Sequence, residues 1–113
     1  MNWIQLNSLN QLAELELSSN SNPVLIFKHS TSCSVSRAML DRLQRNYKPD
    51  EVKGLNTYFL DLLAHRHISQ AVAQRFQMEH ESPQAIVIKE SKVVYSASHF
   101  NIDYRSIREA SIQ

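Results

Sequence analysis

A single cysteine, Cys33, occurs in 113 residues. No intrachain disulfide can form, so a secreted scaffold stapled by disulfides is excluded. No apolar run approaches the roughly 20 residues that a membrane-spanning helix needs. Neither sign of charge is in excess, the formal net charge being +1, so bulk electrostatics point to neither nucleic acid nor an anionic membrane. The opening stretch MNWIQLNSLN has neither the basic start nor the apolar core of a signal peptide. Repeats, low-complexity tracts and linkers are also missing. The expectation is one domain over residues 1–113, a monomer in a reducing cytoplasm, with its thiol free.

What is there is an alternation of helical and extended patterns. Leu9, Leu12, Ala13 and Leu15 recur at helical spacing after Asn7 or Ser8 as N-cap. The turn cluster SSNSNP follows, and then Val24 to Phe27, a continuous apolar run that reads as a central strand buried on both faces. Val35, Met39, Leu43 and Tyr47, supported by Ala38 and Leu40, form a helical stripe that Pro49 ends. A second strand is expected over Asn56 to Asp61, and a helix through Ile68, Ala71, Val72 and Phe76. PQAIVIK and KVVYSAS, joined at Glu90-Ser91, read as a β-hairpin. A last helix follows, with Asn101 as its expected N-cap.

A strand–helix–strand unit crosses over right-handed, so the first two strands should be parallel neighbours. The expected fold is α/β, a mixed four-stranded sheet flanked by helices on both faces, which is the thioredoxin-like arrangement. Cys33 then falls where the first buried strand ends and its helix begins. Ligands of open α/β sheets gather at such carboxyl ends. A helix N-terminus offers unpaired N–H groups and partial positive charge, both favouring a thiolate. Arg37, one turn on, adds to this. A lone cysteine can equally be a buried, inert hydrophobe, but the flanks here, Ser32, Ser34 and Ser36, are hydroxylic.

The stretches KHSTSCSVS, ESPQAIVI and VVYSASHFNI together resemble the monothiol bacilliredoxins of the YtxJ-like family, thioredoxin-fold proteins linked to the small thiol bacillithiol. That family usually carries proline directly after the cysteine, where this chain has Ser34. The resemblance implies a thiol–disulfide oxidoreductase with Cys33 as the catalytic thiol. Its partners would be proteins capped on cysteine by a small thiol, with the bacillithiol-like thiol as co-substrate and no bound cofactor. Ser36 occupies the place of a dithiol enzyme's resolving cysteine; with Ser32 and Arg37 it is expected to support the thiolate. The resemblance also makes Ser82-Pro83 a cis bond beside the thiol, where substrate backbone pairs, with Thr31 in the same site.

Strand order adds a further expectation. The fourth strand should end at the cysteine's edge, bringing Ser98, His99, Asn101 and Asp103 near Cys33 to hold the small thiol. Glutaredoxins use a Gly-Gly turn there, which is excluded because Gly54 is the only glycine. The five histidines, 29, 65, 67, 80 and 99, show no metal-ligand spacing beyond His65-x-His67, so no metal site is expected. Two rival readings stand beside the enzyme: a redox sensor or docking module of the same fold, and an iron–sulfur carrier. The carrier lacks its Cys-Gly-Phe-Ser signature.

Overall fold

The computed structural model describes residues 1–113. In chain order it contains β1 (Ile4–Gln5), α1 (Leu9–Ser18), β2 (Val24–His29), α2 (Ser34–Asn46), β3 (Asn56–Asp61), α3 (Arg66–Arg75), β4 (Gln84–Lys89), β5 (Lys92–Ser98) and α4 (Tyr104–Ile112). Short 3-10 turns occupy Pro49–Glu51 and His99–Asn101. The sheet has five strands in the order β1-β3-β2-β4-β5. β3 runs parallel to β1 and β2, while β4 is antiparallel to β2 and β5 to β4. The strand beyond the expected four is β1, a two-residue edge piece paired with Tyr58 and Phe59; two residues are too few to display a period of two.

β2 lies at the centre, and all six of its residues are buried. It runs two residues past the expected end at Phe27, taking in Lys28 and His29. Alternation divides the core in two. Val24, Ile26, Ile86 and Ile88 pack with Leu12 and Leu15 of α1 and Ile68 and Val72 of α3. Leu25, Phe27, Ala85 and Val87 pack with Met39 and Leu43 of α2 and Ile107 of α4. Lys28 continues the first row and His29 the second.

The helix limits follow local chemistry. Ser8 caps α1 by accepting the Gln11 N–H at 3.2 Å, while Leu9, expected on the buried stripe, is 54% exposed at the helix start. In α2, Ala38 is exposed and Ser36 takes a fully buried place beside Met39 and Leu43. The hairpin turn Glu90-Ser91 has both residues at positive φ, 52° and 63°, as a two-residue turn matching the strand twist requires. Asp103, rather than Asn101, caps α4, accepting the Ser106 N–H at 3.2 Å. No helix is long and apolar enough to cross a membrane.

Candidate active site

β2 and β3 end, and β4 begins, at one edge of the sheet. Cys33 stands there as the N-cap residue of α2, with extended backbone (φ −109°, ψ 120°) and no side-chain capping bond. The sulfur is therefore not used to satisfy the helix, and the residue is partly exposed. Its backbone is fixed on both sides: its N–H donates to Ser30 O at 3.2 Å and its carbonyl accepts from Arg37 N at 3.1 Å.

The turn before it is braced from α2. Arg37 Nη1 donates to Thr31 O at 2.8 Å, laying the guanidinium over the segment that leads into Cys33. Ser36 Oγ accepts the Ser30 N–H at 3.0 Å and lies 2.7 Å from His29 Nδ1. Ser30 and Ser32 share a hydroxyl contact at 3.2 Å. Both bonds of Ser36 thus tie α2 to the end of β2. The hydroxyl expected to face the Cys33 thiolate braces the turn instead, because the buried His29 ring and Ser30 N–H claim it. His29 is pushed below its ordinary pKa by burial, against the pull of the Asp61 carboxylate and with the help of Arg37.

The second wall comes from the segment before β4. The Ser82-Pro83 bond is cis and Pro83 is buried. Pro83 O accepts the His99 N–H at 3.0 Å, joining this wall to the end of β5. Glu81 accepts from Ser98 Oγ and lies 4.0 Å from His99 Nε2. His99 carries φ 55°, a left-handed turn without glycine at the junction where a Gly-Gly pair was excluded. Ser82 Oγ is buried without a hydrogen-bond partner.

The structure separates the remaining candidates. Ser98 and His99 reach the Pro83 wall. The chain then turns along α2, where Arg42 donates to the carbonyls of Phe100 and Ile102. Asn101 is exposed on this turn. Asp103 lies beyond it in a hollow with Arg45, Asn46, Lys48 and Arg108. Arg45 is eleven residues into α2, about 17 Å along the helix from its start. Asp103 is therefore not beside Cys33, and its carboxylate is already bound to the Ser106 N–H and hydroxyl. The expectation that strand order brings it near Cys33 is corrected.

Two polar residues that the sequence reading passed over also belong to this edge. Lys28 and Gln84 face each other in the β2–β4 register and are almost fully buried. Lys28 Nζ donates to Ser69 O and to His80 Nδ1, both at 3.2 Å. Gln84 donates to Glu79 O at 3.1 Å and accepts from Glu81 N at 3.4 Å. Burial pushes the Lys28 pKa down to about 8. The available signal was a polar residue at a core-facing position of each strand.

Comparison with known proteins agrees with this geometry. A solved protein described as having a thioredoxin fold is 27% identical, with a TM-score of 0.80 over 95% of this chain and 91% of its own. Thioredoxin from Fasciola hepatica superposes with a TM-score of 0.70 at 14% identity, over 93% of this chain and 92% of its own. Thioredoxin from Trypanosoma brucei brucei gives 0.71 at 11% identity, over 96% and 87%. At such identities the two thioredoxins attest the fold alone. The family described as "Monothiol bacilliredoxin BrxC" matches residues 4–107. With a lone cysteine at the start of α2 and a cis-proline at the start of β4, on the same edge of a thioredoxin fold, the chain belongs to the monothiol bacilliredoxin family and has a role in thiol redox chemistry.

Proposed function

We propose that the protein removes a small-thiol cap, of the bacillithiol type, from cysteines of other proteins. The observation that carries this reading is the placement of Cys33, partly exposed and uncommitted to capping, at the sheet edge where β4 begins after a cis-proline. The Cys33 thiolate attacks the small-thiol sulfur of the client's mixed disulfide. The client S–S bond breaks, its sulfur leaves as a thiolate that takes a proton from water, and a new S–S bond joins Cys33 to the small thiol. A second small-thiol thiolate then attacks that adduct. It leaves as the oxidised small-thiol disulfide and restores the Cys33 thiolate, so electrons balance with the small thiol as reductant.

Within this scheme Arg37, held on Thr31 O, supplies positive charge to the turn that carries Cys33, and the Thr31–Ser32 segment and the Ser82-Pro83 wall align client backbone. His99, and Asn101 at the rim, are the remaining candidates for holding the small thiol. The test is turnover. A test protein capped on a single cysteine should be uncapped repeatedly by catalytic amounts of this protein when free small thiol is supplied. A single stoichiometric loading of Cys33 with no further release would instead assign the sensor or docking role.

A further inference from the structure

The core row formed by Val24 and Ile26 on β2, and by Ile86 and Ile88 on β4, is apolar until it reaches the catalytic edge. There it ends in Lys28 and Gln84, directly opposite one another and pointing to the same face. An ammonium group at this depth is costly, and a methionine would fill the space without that cost. Apart from the α3 carbonyl of Ser69, every partner of these two side chains lies in one segment, residues 79–81. That segment leads directly into Ser82-Pro83. We infer that Lys28 is a positioning residue for substrate docking: through His80 it fixes the segment 79–83, which enters β4 at the sheet edge that carries Cys33.

The hydrogen-bond chemistry is directional. An ammonium can only donate, so His80 Nδ1 must accept and the ring carries its proton on Nε2. Ser69 Oγ, 3.0 Å from the same nitrogen, donates to it as well. Two donors converging on Nδ1 hold the imidazole in one orientation and oppose its protonation. Burial and then the Lys28 charge accordingly push the His80 pKa down, against Glu81. Glu81 meanwhile is held from the other side by Ser98 and His99. The segment is gripped from β2, α3 and β5, and only the Lys28–His80 link reaches it from the strand that leads to Cys33.

This inference rests on the uncapping reading for its kinetic consequence but not for its structural one. Three full-length variants separate the two: Lys28→Met, His80→Phe and His80→Asn, whose side-chain oxygen can stand where Nδ1 accepts. Lys28→Met and His80→Phe should raise KM for a capped test protein about tenfold, the worth of one charge-assisted hydrogen bond. Their kcat should stay within about twofold, and alkylation of Cys33 by iodoacetamide should be unchanged. His80→Asn should restore the wild-type KM. Amide hydrogen exchange at Glu81 and His99 should quicken in the first two variants and not in the third. If wild-type protein shows no uncapping, the functional reading fails while the exchange pattern still tests the positioning role. Wild-type exchange and KM in Lys28→Met, or equal losses in KM, kcat and alkylation, would overturn it.

Discussion

Ser36 sits where a dithiol enzyme would carry its second sulfur, yet here its hydroxyl is a structural tie. Replacing it with alanine leaves the buried Ser30 N–H and His29 Nδ1 without their partner. An unsatisfied buried group costs about 1–3 kcal/mol, so Ser36→Ala should lose about that much unfolding free energy in a urea titration. Unchanged stability would mean the tie is dispensable. Asp103 makes a contrasting prediction at the same scale. As the N-cap of α4 it should cost about 1 kcal/mol on replacement by alanine. Small-thiol binding, followed by calorimetry on the same variant, should be unaffected, since the side chain lies toward the far end of α2.

At the level of elements, β2 shows why part of the site was legible in the sequence and part was not. The switch from a continuous apolar run to a 3.6-residue period places the strand-to-helix junction, and the junction places Cys33. The hairpin is equally plain, because a two-residue polar turn between two runs of β-forming residues has few other readings. Lys28 and Gln84 escaped notice because both sit at strand ends, where polar residues ordinarily mark emergence into solvent. Only the antiparallel register reveals that they are opposed, and only the packed fold that Lys28 meets Ser69 of α3 while Gln84 meets the segment 79–81. Asp103 was misplaced for a related reason: strand order fixes where β5 ends but not how far the following 3-10 turn carries the chain along α2.

Lys28 also gives β2 a pH signature. Its folded pKa of about 8 lies below the ordinary 10.5, so between these values the unfolded chain binds the proton and the folded one does not. Stability from this residue therefore rises with pH from about 8 to 10.5, by about 3 kcal/mol at most. Below pH 8 the burial penalty is fully present. Lys28→Met should thus melt no lower than wild type at pH 7, and the difference between the two should shift in favour of wild type toward pH 10. Parallel melting curves across that range would remove the buried-ammonium account.

For the whole molecule, the two cores on either side of one sheet explain how a chain of this size holds its cysteine-bearing edge in place without disulfides. The α2/α4 layer carries the cysteine's helix, so damage to α4 should reach the site indirectly. Ile107 is fully buried in that layer, and Ile107→Ala should cost about 2–5 kcal/mol in a denaturant titration. The central claim is that one thiol performs the exchange through a captured adduct. Intact-mass spectrometry after a single round with a capped client, in the absence of free small thiol, tests it most directly. The account predicts that this protein gains the mass of one small thiol on Cys33 and loses it again when reductant is added. Uncapping of the client by a protein that never carries that mass would contradict it.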